Sequence, residues 1–262
     1  MARIDDATLD VLADCRIEGT TLYLPDRQLD RSLYVSVNKV LESLGGKWDR
    51  KAKGHVFSDD PSNALDAVVL TGSYDKPDDL GWFETPEHIA RMVIDAAQIE
   101  PGMSVLEPSA GLGALARPAR DAGGSVDLCH EIHEGRAKAL WEQGFPTSQR
   151  DFLVGKVVNS FDRVVMNPPF ARQQDIDHVT HALRHLRPNG RLVSIMSASV
   201  LFRSNRKTVE FREIVERYGG VFAELPDGSF RSSGTDVRTV MLTIERKPED
   251  FWVFSAHRSD AA

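Results

Sequence analysis

The sequence predicts an α/β protein: a doubly wound, mostly parallel sheet over residues 82–246, preceded by a small α+β module over residues 1–71. Three observations carry this. From Trp82 onward, short apolar runs alternate with segments whose apolar residues recur at helical spacing. Such alternation implies a parallel sheet covered by helices on both faces. A glycine pair, Gly111 and Gly113, lies between the first of these runs and its helix, where an open parallel sheet places a ligand loop. Residues 1–71 lack the alternation, and the Asp-, Pro- and Gly-rich segment 72–81 reads as a linker.

In the N-terminal module, Thr20–Leu24 reads as a strand and Ser32–Leu44 as an amphipathic helix stopped by Gly45-Gly46. Lys47–Arg50 and Gly54–Phe57 form a short hairpin, followed by a helix near Asn63–Leu70. In the larger domain, Thr85 is placed as a helix N-cap with Pro86 at the first helical position, ahead of Ile89, Met92, Val93 and Ala96. Pro101-Gly102 turns the chain into strand Met103–Glu107. Helix Leu112–Ala122, strand Ser125–His130, helix Glu134–Gln143 and a third strand ending before Asp151 follow. Next come strand Val164–Met166, helix Asp175–Leu186, turn Pro188-Asn189-Gly190 and strand Arg191–Ser197. Helix Val209–Tyr218 and strands Val221–Leu225 and Val237–Glu245 complete the sheet, and residues 247–262 form a tail without pattern.

Hydrophobic residues make up 41% and charged residues 27%, as in a soluble globular protein. No apolar run approaches a membrane span, and MARIDDATLD is too acidic for a signal peptide. Cys15 and Cys129 lack metal-ligand spacing, so a reducing cytoplasmic setting without a bound metal is expected. A formal charge of −7 argues against a generic nucleic-acid coat, while leaving room for a local basic face on an enzyme.

The chemistry is concentrated in Asn167-Pro168-Pro169-Phe170, directly after the apolar run Phe161–Met166. Two prolines have no N–H to donate, so the strand must stop there, and residues preceding proline are held extended. The result is a rigid platform with one amide oxygen, fixed carbonyls and an aromatic face. It suits an amino group on a flat ring, whose two hydrogens the acceptors take while Phe170 stacks. Adenine's amino nitrogen is a weak nucleophile because its lone pair is delocalised. Acceptors aimed at its hydrogens favour a more tetrahedral nitrogen and stabilise the positive charge that develops on it.

These residues resemble the amino-group methyltransferases that use S-adenosylmethionine, especially the adenine-N6 branch. Glu107-Pro108-Ser109-Ala110-Gly111-Leu112-Gly113 is similar to that family's cofactor loop, and Glu131, followed by Ile132, lies at the end of the next strand where an acidic residue accepts from ribose hydroxyls. Gly111, Gly113 and Ala116 also satisfy the G-x-G-x-x-A dinucleotide fingerprint, so a nicotinamide enzyme is the alternative on that segment alone. Asp151-Phe152 resembles the pair that holds the cofactor adenine, and Thr85-Pro86 the segment at its methionine end. The resemblance covers residues 83–246 in order. It implies a Rossmann-like, seven-stranded methyltransferase sheet with S-adenosylmethionine held between the first and fourth strands.

The family methylates adenine in DNA or RNA, cytosine N4, or a glutamine side chain. The glutamine enzymes usually carry Tyr where this chain has Phe170, so adenine is expected, in DNA ahead of RNA. Residues Phe230–Thr239 are loosely similar to a segment of DNA adenine enzymes of restriction–modification type. A duplex target would be flipped from its stack to reach Phe170. Phosphate contacts are expected from Arg172, Arg203, Arg206, Lys207 and Arg231. The core is expected to end near Arg246, without the target-recognition domain that follows it in the familiar DNA adenine enzymes. The hairpin with Lys47, Trp48, Arg50, Lys51 and Lys53 is therefore expected to contribute nucleic-acid binding, or a protein partner to supply recognition. A cofactor-binding subunit of a heteromeric methyltransferase is the alternative from another class. His178, His181 and His185 share one helical face without a carboxylate at ligand spacing, and are expected on the solvent side of their helix.

Overall fold

The computed structural model describes residues 4–72, 83–158, 160–226, 228–230 and 237–247. In the N-terminal segment, helix α1 (Asp6–Ala13) precedes strands β1 (Arg16–Glu18) and β2 (Thr21–Tyr23), helix α2 (Arg31–Ser43), hairpin strands β3 (Lys47–Asp49) and β4 (Gly54–Val56), and helix α3 (Ser62–Thr71). The four strands form an antiparallel sheet in the order β1-β2-β4-β3. Side-chain caps begin α1 and α2: Asp5 accepts from the Thr8 N–H and Asp30 from the Leu33 N–H. Leu9, Leu12, Leu22, Val37, Leu41 and Val68 close a core of their own. Helix α1 and strand β1 had no counterpart in the sequence reading, because they are only eight and three residues long.

The larger sheet is built from β5 (Ser104–Glu107), β6 (Ser125–His130), β7 (Thr147–Ser148), β8 (Phe161–Met166), β9 (Leu186–Ser197), β10 (Val221–Glu224) and β11 (Thr239–Glu245). Their order is β10-β11-β9-β8-β5-β6-β7, with β11 antiparallel to both neighbours and the remaining pairs parallel. All of β5 and most of β8 are buried because helices cover both faces, and their sequences are accordingly continuous rather than alternating. One face packs against α4 (Glu87–Ala97) and α5 (Ala116–Asp121), through Ile89, Val93, Ala97 and Ala119. The other packs against α7 (Gln174–Leu183) and α8 (Arg206–Arg217), through Ile176, Val179, Leu183, Phe211 and Val215. Helix α6 (Glu134–Glu142) follows β6 and buries Ala137 and Leu140. From β5 the chain runs outward through β6 and β7 and returns at β8 on the other side of β5. The sheet therefore reverses between β5 and β8, where doubly wound folds open a crevice beyond their strand ends.

Several boundaries differ from the sequence reading. The helix expected from Leu112 starts only at Ala116, since Gly111 and Gly113 stand at φ 54° and 85° and hold the segment before it in turns. The third strand has only two residues. Asn189, expected in a turn, sits within β9 at φ 64°, a local irregularity where the pairing with β8 shifts register. Pro86, not Thr85, occupies the cap position of α4, and no side chain caps that helix.

The N-terminal segment packs against the larger sheet close to the platform. Arg203, two residues beyond the 3₁₀ turn Ala198–Leu201, is only 5% exposed, with Asp10, Asp14 and Asp66 of the N-terminal segment and Asp175 of α7 around it. Arg238 bonds Asp6 at 2.6 Å, and Arg27 bonds Asp10 at 2.8 Å and Ser204 at 3.1 Å. No helix among the described residues is long and apolar enough to cross a membrane.

Candidate active site

Strand β8 delivers Asn167 to the sheet edge, where the two prolines end the ladder. The Asn167 amide donates from Nδ2 to the Phe83 carbonyl at 3.2 Å and to Thr85 Oγ1 at 3.0 Å. The Phe83 carbonyl can only accept, so it fixes which end of the amide is nitrogen. Oδ1 is then left buried without a hydrogen-bond partner. Thr85, placed by the sequence as a helix cap, instead uses its hydroxyl to orient Asn167. Phe170 is 3% exposed and packs in the core cluster that includes Leu70 and Phe230, while also lining the cavity beside the platform.

That cavity, of about 270 Å³, is bounded by Asn167, Pro168, Pro169 and Phe170 on one side and by Pro108, Ser109, Glu131, Ile132, Asp151 and Phe152 on the other. A narrower cleft lined by Thr85, Glu107, Ala110 and Gly111 adjoins it, and Phe83, Ser109 and Asn167 line both. Pro86 lies in a separate open groove with Glu84, Thr85 and Glu87. Glu131 is buried, and its two oxygens accept from the Gly111 N–H at 2.9 Å, the His133 N–H at 2.7 Å and Arg136 at 3.0 Å. Each carboxylate oxygen carries two lone pairs, so the Gly111-bonded Oε2 keeps acceptor capacity. A larger residue at Gly113 would be strained: its φ is 85°, and a Cβ there would lie 3.1 Å from Leu140 Cδ2. Glu107 is also buried and its Oε2 has no partner. Burial pushes its carboxyl well above the ordinary carboxylate range, against the opposing pull of the Ala116 and Leu115 N–H groups.

Asp151 is exposed and caps the 3₁₀ turn Phe152–Val154 by accepting from the Leu153 N–H at 2.9 Å. Phe152 is held in a ring of imidazoles, its centroid 5.2 Å from His130, 5.8 Å from His178, 4.8 Å from His181 and 5.3 Å from His185. This corrects the expectation of a solvated histidine face: His178 and His185 are buried, because the turn carrying Phe152 covers that side of α7. Desolvation pushes His130, His178 and His185 down to about 4, leaving neutral rings near pH 7. His178 Nδ1 also hydrogen bonds Ser109 Oγ at 3.1 Å, joining α7 to the glycine loop.

The basic residues divide by environment. Lys47, Arg50, Lys51 and Lys53 are exposed on the β3–β4 hairpin, as is Trp48, whose ring meets His55 edge-on at 5.3 Å. Asp49 organises the hairpin turn by accepting from the Lys51 and Ala52 N–H groups. Arg172 is exposed directly after the platform. Arg203 is buried among aspartates and cannot reach a phosphate, which removes it from the expected contacts. Arg206 pairs with Glu210 at 2.6 Å and Lys207 with Asp177 at 2.7 Å. Arg231 lies outside the described residues, as do the residues expected in the linker beyond Gly72 and in the tail beyond Lys247.

Phe83, Arg136, His130, Gln174 and His178 line the cavity without having been singled out for it. Phe83 contributes a backbone carbonyl, which no residue pattern reveals. Arg136 stands five positions after Glu131, one turn into α6, and that spacing was the available signal.

No protein-family model and no curated protein matches the chain. Solved structures do. A Vibrio vulnificus YJ016 protein, provisionally described as a modification subunit of a type I restriction enzyme, superposes with a TM-score of 0.54 at 18% identity. The match covers 64% of this chain and 45% of that one, so the chain spans less than half of that protein's length. A Pyrococcus horikoshii protein, provisionally described as an RNA methyltransferase, gives a TM-score of 0.48 at 20% identity over 64% of this chain and 89% of that one. The 23S rRNA methyltransferase ErmE gives 0.47 at 18% identity over 65% of this chain and 71% of that one. In strand order, the antiparallel β11 and the first of these superpositions, the chain has the Rossmann-like, seven-stranded methyltransferase fold.

Proposed function

We propose that the protein transfers a methyl group from S-adenosylmethionine to the N6 amino group of adenine in DNA. The observation that carries this reading is the buried, unpartnered Oδ1 of Asn167 at the β8 end, held in place by its Nδ2 bonds to Phe83 and Thr85. A buried acceptor without a partner is costly, and an amino hydrogen delivered from the cavity satisfies it. The second acceptor is the Pro168 carbonyl, and Phe170 offers an aromatic contact to the ring. Adenine is preferred over a glutamine side chain on the aromatic choice at Phe170, and DNA over RNA on the resemblance of Phe230–Thr239 stated above.

The residues of the adjoining cleft fit the cofactor. The unpartnered Glu107 Oε2 suits a cationic amine, the spare capacity of Glu131 suits ribose hydroxyls, and Ile132 with Phe152 suits an adenine ring. Thr85, Pro108, Ser109, Ala110, Gly111 and Gly113 shape the methionine end, and Asp151 faces the adenine amino group. S-adenosylmethionine bound there supplies an electrophilic methyl group. The protein's part is alignment and electrostatics: Asn167 and Pro168 fix the amino nitrogen and favour its tetrahedral form. The proton leaves once the nitrogen is methylated and cationic, so no strong base is needed beforehand. Lys47, Trp48, Arg50, Lys51, Lys53 and Arg172, with Arg206, Lys207 and Arg231, are the candidate nucleic-acid contacts.

The test is methyl transfer from labelled S-adenosylmethionine to unmethylated duplex DNA, single-stranded DNA and total RNA, with products identified by nucleoside mass spectrometry. N6-methyladenine in DNA is expected. Label confined to RNA would keep the chemistry and overturn the substrate, and transfer to none of them would overturn the reading.

A further inference from the structure

Two consecutive residues just beyond the platform, Arg172 and Gln173, stand in the left-handed region at φ 54° and 58°. Neither is glycine, and such a pair persists only where surrounding contacts hold it. Those contacts come from two sides. The Gln173 side chain bonds Thr208 and Asn205 at the start of α8. The Arg172 backbone N–H donates to Asp66 Oδ2 at 3.2 Å, and Asp66 belongs to α3, 106 residues earlier in the chain. The turn is tied back to the platform, because the Gln173 N–H bonds the Phe170 carbonyl at 3.2 Å.

Resting on the amino-methyltransferase reading, we infer that Asp66 is a positioning residue for methyl transfer. It accepts from Arg172, holds the strained turn closed, and so fixes how Phe170 and the Pro168 carbonyl face the incoming base. The N-terminal module is on this account a structural part of the acceptor site as well as a candidate nucleic-acid surface. Asp66 also faces the buried Arg203, so neutralising that charge is the rival explanation for its presence.

Two substitutions separate the roles. Asp66→Asn keeps an acceptor at the same reach and discards the charge, whereas Asp66→Glu keeps the charge and displaces the acceptor by one methylene. The expected kcat is within about threefold of wild type for Asp66→Asn and lower by about tenfold or more for Asp66→Glu, since small misplacements near reacting groups are costly. S-adenosylmethionine affinity by calorimetry stays unchanged in both. Amide exchange at Arg172 is slow in wild type and Asp66→Asn and fast in Asp66→Glu.

The reverse order of rates overturns the inference and assigns Asp66 to Arg203, and equal rates in all three proteins overturn it too. If wild type methylates no nucleic acid, the function reading falls by itself. Amide exchange then still judges the contact, and equal protection in the three proteins counts against it.

Discussion

At the scale of single residues, the site is organised by two buried polar atoms without partners, Asn167 Oδ1 and Glu107 Oε2. Glu107 carries a cost in the free protein, because burial raises its folded pKa above the unfolded value of 4.5. For an acid, that shift means ionisation opposes folding at any pH above 4.5. Glu107→Gln is therefore expected to leave the free protein as stable as wild type or more so at pH 8, by thermal unfolding. The same variant should weaken S-adenosylmethionine binding about tenfold, the worth of one charge-assisted bond. A wild-type affinity in this variant would remove Glu107 from the cofactor site. The platform itself was legible, because two prolines after an apolar run fix a strand end. Its anchoring was not: Thr85 and Phe83 lie 82 and 84 residues before Asn167, and no local pattern pairs them.

Among the elements, strands β5, β6 and β8 and helices α2, α6 and α7 fall within a few residues of their expected positions, because strong apolar patterns and turn residues mark them. The surroundings of α7 differ from the expectation. Its apolar stripe placed one face on the sheet correctly, but the 3₁₀ turn with Phe152 arrives from another part of the chain and covers the histidine side as well. That burial has a consequence in acid. Desolvation above all brings His130, His178 and His185 to about 4 when folded against 6.5 otherwise, with His130, His181, Asp151, Asp177, Arg150 and Arg184 the further groups influencing them. Between those values the unfolded chain takes up protons that these three folded imidazoles refuse, so their contribution to stability falls as pH drops from 6.5 toward 4. Asp175, raised by burial from 3.8 to about 6, acts in the opposite sense over much of that window, as do the raised carboxyls of Asp66 and Glu107, while the lowered His55 and His181 act with the three imidazoles. Both ring nitrogens of His185 are buried without partners, so His185→Leu should change stability at pH 7.5 by no more than about 1 kcal/mol. It should also make the acid loss shallower by about one proton. Unfolding curves at pH 7.5 and 5 check both, and an unchanged pH slope would refute the neutral-imidazole assignment.

Over the whole molecule, a net charge of −7 coexists with an exposed basic hairpin on the N-terminal sheet. Among the described basic residues expected to reach phosphate, Arg203 is consumed by aspartates, whereas the hairpin, Arg172 and Arg206 are exposed, Arg206 in a surface pair with Glu210, and Lys207 is paired with Asp177. Lys51→Glu with Lys53→Glu is expected to weaken nucleic-acid binding and reduce the slope of log affinity against log salt by about two. Binding titrations at several salt concentrations read this directly, and an unchanged slope would take the hairpin out of the interface. The packing of the N-terminal segment against the platform could not be anticipated, since it depends on scattered aspartates, Asp6, Asp10, Asp14 and Asp66, meeting arginines far along the chain.

The most direct test of the central claim is the single-turnover rate of methyl transfer by Asn167→Ala against wild type, at saturating S-adenosylmethionine and DNA. Loss of an acceptor aimed at developing charge predicts a rate lower by about 10²–10³. Cofactor affinity should fall only a few-fold, since the Phe83–Thr85 segment loses its anchor. A rate within about threefold of wild type would contradict the account, because the platform would then not be where the amino group is methylated.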